Sequence, residues 1–503
     1  MDNLDGLLSP ALLHLLLPNQ RQTGITVGTC TVNELFNFRT SYHIAIPEYQ
    51  RPYVWQEQQV EKLLQDLRDF TLCGRGAAME SGTDTHYLGT VLLHQRGNTF
   101  NIIDGQQRIT TLLLINAVID PGNSIVRLHK QSLELFYEAP ASKANIAKNY
   151  RFIQEKIRRY LDLEKAKDLF GYLQLTLIVT ESADDAFNFF VSQNNRGLSL
   201  GATDFLKSFH LRALRNDVEL QRILARNFDA NNYEKFLDRL FSTVLWRGRH
   251  WKGKDVAYEE GEAIRDEFEA GSIKSGSGVL TFYPGRANPP VGRLVSMDNR
   301  ILVKPEPNDH DLSDVVMPFS LRQPVEEGAG FFLYTEKYTG LYRFLFDEEQ
   351  PSGTSVGRVQ EFYKVVYLNA GMNSYLKSLF RLCIILFWDQ FGEAEIYSCA
   401  LWLDYFLGAY RVMQKSIVAQ TPVKICRDKP QNILDIITSA YLPGEVFRFI
   451  RVNTTSEDYK TAIGSDGTGV QANYIRCLRV YYKKQDTEPL TDKKDWINDR
   501  LQA

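Results

Sequence analysis

The chain has 503 residues, of which 44% are hydrophobic and 24% are charged, and its formal net charge is −3. This length exceeds what one hydrophobic core organises and predicts two to four domains. The near-neutral charge excludes a global basic field, so any nucleic-acid contact has to come from local patches.

The six cysteines are scattered and include no C-x-x-C pair, which argues against a structural zinc site and a disulfide framework. We expect reduced, mostly buried thiols. The first 18 residues lack a basic leader and a small-residue cleavage site, so we expect no signal peptide. No apolar run reaches the roughly 18 residues that a membrane span needs. These features predict a cytoplasmic protein that does not contact membranes.

The N-terminal part alternates strand and helix patterns. A short strand at 42–46 and a polar-aromatic loop at 49–55 precede a helix with a clear 3.6-residue apolar period from Val60 to Phe70. Two β-prone runs, Tyr87–His94 and Thr99–Ile103, flank Gln95-Arg96-Gly97-Asn98 and predict a hairpin.

The second strand of this hairpin leads through Asp104-Gly105 into a helix from Gln106 to about Val118. The centre of this helix, Leu112–Ile115, is apolar on nearly every side, which predicts a buried helix. Further helix is predicted over 142–170 and from Thr203, and a further strand over 173–179. The fold class is therefore a mixed α+β unit at the N-terminus.

The second half has a different texture. Gly, Pro and Ser are frequent between Trp246 and Glu327, which predicts an insertion or small β-rich subdomain at 246–327. The runs 331–346, 359–388, 396–416 and 433–450 then predict consecutive long helices, so residues 328–503 are interpreted as a mainly α-helical domain.

The residues Asp104 to Arg108 contain the parts of an anion site. A helix start offers free backbone N–H groups and a favourable dipole, Gly105 permits close approach, and Arg108 has a forked donor suited to phosphate. Gln106 and Gln107 can donate to phosphate or orient a water. Asp104 suits such a site only if it holds Mg²⁺ or fixes Arg108. The alternative, that Asp104 caps the helix and Arg108 is a solvated surface residue, stays open.

Two further clusters could carry chemistry. Asn195-Arg196-Gly197 is followed by Asp204 and Lys207, which form either part of a site or a surface pair three residues apart at a helix corner. The loop from Tyr49 to Trp55 interleaves aromatic side chains with Gln50 and Arg51. It is suited to stacking on bases, and the alternative is that its aromatic rings pin the loop to the core.

Four segments together resemble the GmrS-type domain family. They are Ile46–Trp55, Tyr87-Leu88-Gly89-Thr90, Asp104–Leu112, and Asn195-Arg196-Gly197 with Leu200, Asp204 and Lys207. That family has the ParB/sulfiredoxin-like fold and occurs in GmrSD restriction enzymes and phosphorothioate-sensing relatives. The resemblance covers roughly residues 26–214.

The resemblance implies a nucleoside-triphosphate site that uses Mg²⁺. It implies catalytic roles for Asp104, Gln106, Gln107 and Arg108, with Asp104 as the metal ligand. The helix start itself offers Gly105 and the hydroxyls of Thr110 and Thr111 for further nucleotide contacts. The resemblance implies that the same pocket is completed by Asn195, Arg196, Asp204 and Lys207. It also implies that DNA, which can carry a modification, is contacted by Tyr49, Gln50, Arg51 and Tyr53.

GmrSD-like proteins usually continue into a His-Asn-His nuclease domain, whose histidines bind the metal. The last histidine here is His310, so we expect no nuclease of this type. The leading hypothesis is an NTP-hydrolysing sensor of a bacterial antiphage or restriction system, with a nuclease or other defence subunit as partner and homo-oligomerisation left open. The alternative is a non-catalytic nucleotide- or DNA-binding module.

Overall fold

The computed structural model describes residues 24–36, 43–47, 50–74, 85–121, 133–134, 137, 139–182, 185–186, 189, 201–214, 217–258, 261–274, 292–297, 300–305, 319–460 and 468–502. The chain divides into two compact units between Tyr233 and Glu234. The predicted domain boundaries at 26–214, 246–327 and 328–503 stay predictions.

The N-terminal unit is built on a six-stranded mixed sheet with strand order β1-β6-β3-β4-β2-β5. The β1–β6 and β3–β4 pairs are antiparallel, and the other neighbouring pairs are parallel. The strands are β1 Ile25–Thr31, β2 His43–Ala45, β3 His86–Arg96, β4 Thr99–Asp104, β5 Leu133–Glu134 and β6 Leu173–Thr180.

Its helices are α1 Val32–Phe36, α2 Glu57–Gly74, α3 Gln106–Ile119, α4 Pro140–Lys156, α5 Leu163–Ala166, α6 Ala202–Ala213 and α7 Val218–Asn231. The predicted hairpin is confirmed as β3 and β4, and the predicted buried helix is confirmed as α3. Helix α3 is apolar around its circumference, and Ile109, Leu112 and Ile115 have no exposed surface. The sequence pattern therefore determined this part of the fold.

The two faces of the sheet are covered differently. Alternate residues of β6, including Leu175 and Leu177, point into the main core beside α3. The opposite face carries a small second core, in which Leu92 and Ile103 pack with Phe205 of α6. Because a strand directs successive side chains to opposite faces, β6 places Thr176 and Ile178 on this second face.

The second unit is mainly helical. Its helices are α8 Phe236–Leu240, α9 Arg247–His250, α10 Gly261–Phe268, α11 Ala329–Phe346, α12 Ser355–Tyr363, α13 Ser374–Phe391, α14 Ile396–Met413, α15 Gln420–Arg427, α16 Ile433–Ser439, α17 Pro443–Asn453, α18 Val470–Tyr482 and α19 Lys493–Gln502. Phe241–Trp246 and Lys364–Leu368 are π-helical. The hairpin of β7 Gly292–Met297 and β8 Arg300–Pro305 lies within the predicted 246–327 insertion. The α+β class and the helical second half are confirmed.

A fully buried ion pair lies inside the helical unit. Lys493 Nζ donates to Asp404 Oδ2 at 2.6 Å, and neither side chain has exposed surface. The same ammonium group also donates to the hydroxyls of Tyr459 at 3.1 Å and Tyr474 at 3.0 Å. These contacts tie α19 to the centre of α14, because a buried charge needs a partner.

The described cysteines agree with the expected reduced thiols. Cys30, Cys383, Cys399 and Cys426 are buried without a disulfide, and Cys477 is half-buried. In the part of the chain that the structure describes, each helix is too short or too polar to cross a membrane.

Candidate functional site

The junction between β4 and α3 requires glycine at position 105. Gly105 has a φ of +94°, and a Cβ there would lie 3.0 Å from Val91 Cγ2 and 3.4 Å from the carbonyl oxygen of Thr90. Both the backbone conformation and the close approach therefore favour glycine. Within the described residues no side chain caps α3, and Gly105 itself is the N-cap. The alternative that Asp104 caps the helix is therefore wrong.

The guanidinium of Arg108 lies on the backbone of Gly89. A Cβ at Gly89 would lie 3.1 Å from Arg108 Nη1 and 3.3 Å from its Cζ. In the described part of the chain the group makes one hydrogen bond, from Nη1 to the carbonyl oxygen of Thr90 at 3.3 Å. Burial lowers the pKa of Arg108, and the charge of Asp104 opposes this shift. Arg108 is thus a half-buried cation near Asp104 and not a solvated surface residue.

Gln107 holds the preceding loop in place. Its Oε1 accepts hydrogen bonds from the backbone N–H groups of Val54 at 2.9 Å and Trp55 at 3.3 Å. Its Nε2 donates to the carbonyl oxygen of Pro52 at 3.0 Å. Because both ends of this buried amide are used, the contacts give Gln107 a scaffolding role. Its catalytic role stays a prediction.

Gln106 is engaged at one end of its amide. Its Nε2 donates to the carbonyl oxygen of Arg51 at 3.0 Å. Its Oε1 is buried and has no hydrogen-bond partner among the described residues. The two neighbouring glutamines therefore differ, since Gln106 alone keeps an unused polar atom at the start of α3.

Tyr53 and Thr111 belong to the interior. The Tyr53 ring has no exposed surface; its hydroxyl lies 2.8 Å from Thr111 Oγ1 and accepts a hydrogen bond from Asn149 Nδ2 at 3.1 Å. Its backbone N–H donates to Ser142 Oγ at 2.8 Å. Both hydroxyls are buried and make internal contacts. The DNA contact of Tyr53 and the nucleotide contact of Thr111 stay predictions. The alternative that aromatic rings pin this loop to the core is confirmed for Tyr53.

Thr110 faces inward as well. It is 5% exposed, and its Oγ1 lies 2.7 Å from the hydroxyl of Tyr137. Burial raises the pKa of Tyr137, so this phenol stays neutral. The structure thus gives Thr110 an internal contact with another hydroxyl, and its nucleotide contact stays a prediction.

Lys207 and Gln50 fasten the same loop from its other end. Lys207 Nζ donates to the carbonyl oxygen of Gln50 at 3.0 Å and to Asp229 Oδ2 at 2.8 Å. Gln50 Nε2 donates to the carbonyl oxygen of Ile103 at 2.5 Å. Lys207 is 1% exposed, so the alternative of a surface pair with Asp204 is wrong. Both side chains bind within the N-terminal unit. The nucleotide contact of Lys207 and the DNA contact of Gln50 stay predictions.

Arg51 lies near two carboxylates. Burial lowers the pKa of Arg51, whereas Asp204 and, less strongly, Asp104 raise it. Asp204 also accepts a hydrogen bond from the backbone N–H of Gly201 at 3.2 Å and so caps α6. The structure therefore brings Arg51, Asp104, Asp204 and Arg108 into one charged region of alternating sign.

Asp104 is the carboxylate that the sequence assigns to Mg²⁺. Among the described residues, no group of three or more His, Cys, Asp or Glu side chains is arranged to hold a metal ion. Mg²⁺ commonly uses only one or two carboxylates and takes its remaining ligands from water and substrate phosphates. Asp104, located beside an uncapped helix start, is a carboxylate of this kind.

A small open pocket of about 40 Å³ lies beside the loop. Its polar lining comes from Gln50, Arg51, Tyr137, Ser142, Arg226 and Asp229. A water needs roughly 10–15 Å³ of such space, so the described residues leave room there for a few waters. Tyr49, Asn195 and Arg196, which the sequence also assigns to the site, lie outside the described residues.

Sequence reasoning missed several residues around Arg108. Tyr87 and Thr90 lie in the segment 87–90, which contributed to the family resemblance but was given no functional role. Nothing in the sequence pattern pointed to Thr176. Tyr87 Oη lies 3.4 Å from Thr90 Oγ1, and Tyr87 and Arg108 interact electrostatically. Asp229, the partner of Lys207, was also missed, because a lone acid on an amphipathic helix is ordinarily a solvated residue.

The N-terminal unit is thus a mixed-sheet α+β domain with a charged region where β4 meets α3. Residues 32–211 match the model of a family described as GmrSD restriction endonuclease, N-terminal domain. This part of the chain is therefore similar to the N-terminal domain of GmrSD restriction endonucleases. Residues 220–464 match a family of unknown function, DUF7834. No curated protein matches the chain.

Proposed function

We propose that the charged region around Gly105 binds the phosphates of a nucleoside triphosphate and hydrolyses it with Mg²⁺ held by Asp104. The single observation that carries the proposal is the uncapped start of α3 at Gly105, with the half-buried guanidinium of Arg108 beside it. Free N–H groups at a helix start and a fixed guanidinium together favour a bound anion. Oε1 of Gln106 is the remaining polar atom that could hold a water there.

The family match supports a place for this activity in a restriction or antiphage system. Nucleotide binding and hydrolysis would control engagement of DNA, modified or not, and a partner nuclease would supply cleavage. Among the described residues that the sequence assigned to DNA contact, Arg51 is the best placed, since its side chain is half-buried and lines an open pocket. The ParB/sulfiredoxin-like assignment of the sheet is part of the same proposal.

The test is hydrolysis of ATP, GTP, CTP and UTP by the purified chain with Mg²⁺, with and without duplex DNA. We expect turnover that Asp104→Asn and Arg108→Lys reduce by at least about a hundredfold, because one fixed charge contact at a reacting phosphate contributes roughly 3 kcal/mol. Asp66→Asn and Arg151→Lys change exposed residues of the same unit and serve as matched controls. Equal turnover by all four variants would refute the proposal.

A second candidate is nucleotide binding without turnover. One observation favours it: the amide of Gln107 is fully engaged within the protein, and that of Gln106 is half engaged. Asp104, which directly precedes the N-cap Gly105, is the acidic residue next to the start of α3. Titration calorimetry that detects NTP binding, combined with absent hydrolysis in the presence of DNA, would favour this candidate.

A further inference from the structure

A bulge in β3 turns two hydroxyl-bearing side chains toward the same side of the sheet. In the parallel pairing with β6, Tyr87 lies opposite Gln174 and Thr90 opposite Thr176, with a register shift between Tyr87 and Gly89. Residues three apart on a regular strand point to opposite faces. The extra residue at the bulge, together with the φ of +110° at Gly89, brings Tyr87 and Thr90 together.

The result is a row of hydroxyls across three strands. Thr29 of β1 pairs with Thr176 of β6, and Thr176 pairs with Thr90 of β3, so the three side chains share one face. The hydroxyl of Tyr87 lies 3.4 Å from Thr90 Oγ1 and also interacts with Thr176. Hydrogen bonds from Thr176 and Thr90, together with the charge of Arg108, lower the pKa of Tyr87.

The guanidinium of Arg108 lies against Gly89 of β3, where the absence of a Cβ leaves it room, and it donates to the carbonyl oxygen of Thr90 at 3.3 Å. The Tyr87 side chain is 56% exposed, so a ligand can reach its hydroxyl. A guanidinium held on the same stretch of strand as two hydroxyl-bearing side chains suits the oxygens of a phosphate group in charge and in hydrogen-bonding capacity.

We propose that Tyr87, Thr90 and Thr176 act with Arg108 to bind the terminal phosphate of the nucleotide whose inner phosphates lie at the start of α3. This inference rests on the proposed nucleotide site and adds residues from two further elements, strands β3 and β6. It makes the site selective for nucleoside triphosphates over diphosphates, since only the triphosphate reaches the hydroxyl row.

The experiment measures the affinities of the full chain for ATP, ADP and inorganic tripolyphosphate by calorimetry with Mg²⁺. The variants are Tyr87→Phe, which removes one hydroxyl, and Thr176→Val, which keeps the shape of the side chain. Tyr233→Phe, at an exposed tyrosine of the same unit, is the matched control. A 20-base-pair DNA duplex is titrated in parallel, because DNA also carries phosphate oxygens.

We expect Tyr87→Phe to weaken ATP and tripolyphosphate binding about tenfold or more, as for loss of a hydrogen bond to a charged group. ADP binding is expected to change less than threefold, and Tyr233→Phe to match the wild type. If Tyr87→Phe weakens the binding of ATP and ADP equally, or weakens only the binding of DNA, the terminal-phosphate role is wrong while the nucleotide site stands. If the wild type binds none of these phosphates, the proposed function fails and this inference fails with it.

Discussion

Replacing Gln107 by methionine separates a structural role from a catalytic one. Methionine has a similar volume but lacks the amide, so the variant loses three hydrogen bonds, to Val54, Trp55 and Pro52. Since Gln107 is 6% exposed, water replaces its amide poorly. We therefore expect the 52–55 loop to lose its attachment to α3.

The expected cost follows from these three contacts. A neutral hydrogen bond contributes about 0.5–1.5 kcal/mol net, and a buried group left without a partner costs somewhat more. The 3.3 Å contact to Trp55 is the weakest of the three. The sum is a loss of about 2–4 kcal/mol in the free energy of unfolding of the N-terminal unit.

Urea denaturation followed by circular dichroism measures this loss, and hydrogen exchange localises it. The amides of Val54 and Trp55 are expected to exchange about thirtyfold faster or more, since each 1.4 kcal/mol of lost protection is a factor of ten. Gln58→Met changes an exposed glutamine at the start of α2 and is expected to stay within about 0.5 kcal/mol of the wild type. A Gln107→Met protein that keeps wild-type stability and exchange but loses NTP hydrolysis would show that Gln107 is catalytic and that the structural reasoning is wrong.

Two further substitutions test other contacts. Gly89→Ala is expected to destabilise the protein by about 1–3 kcal/mol and to weaken phosphate binding, because the added Cβ displaces Arg108. Gly97 has a φ of +59° and no neighbour within 4 Å of an added Cβ. Gly97→Ala is therefore expected to lower stability without changing phosphate binding. Thermal denaturation with phosphate titration checks this, and equal loss of binding in both variants would contradict it. Lys493→Met is expected to cost about 3–5 kcal/mol because it leaves Asp404 buried without its partner. The exposed neighbour Lys494→Met is expected to cost under about 0.5 kcal/mol, and similar melting temperatures for the two variants would argue against a stabilising role for the ion pair.

Local sequence patterns predicted much of the N-terminal fold. The hairpin and α3 are confirmed because turn residues and an all-round apolar helix are encoded within short segments. The parallel pairing of β3 with β6 could not be predicted in this way, because their paired residues, such as Thr90 and Thr176, are far apart in sequence. The hydroxyl row around Arg108 depends on that pairing and was therefore missed.

In the helical half, local sequence patterns also failed to predict where helices are interrupted. The sequence predicted one helix over 359–388, whereas the structure has a π-helical segment and a new helix that begins at Ser374 after Gly371. Gly371 has a φ of +66°, which ends the preceding helix. The predicted helix over 433–450 is likewise divided, because Pro443 begins a second helix, α17. Apolar periodicity continues through both breaks and does not reveal them.

The sequence also could not distinguish Gln106 from Gln107. Successive residues on a helix point about 100° apart, so one of two neighbouring glutamines can face the loop while the other faces elsewhere. Which one faces the loop depends on where residues 52–55 lie, and that depends on contacts such as Tyr53 with Ser142. Motif reasoning gave both glutamines one role, whereas the contacts give them different roles.

The glycines at 89 and 105 explain why two separate short motifs belong to one site. Both have positive φ, and each lies against the segment that contains the other: Gly89 against Arg108, and Gly105 against Thr90 and Val91. Strand β3 also has two register irregularities near these glycines. One lies between Tyr87 and Gly89 in the pairing with β6, and the other between Leu92 and Leu93 in the pairing with β4. A side chain at either glycine would push the two segments apart, so the bulge in β3 and the helix start of α3 hold each other in place. The position of Arg108 is therefore fixed jointly by both motifs, and neither motif alone would create the charged region at the junction of β4 and α3.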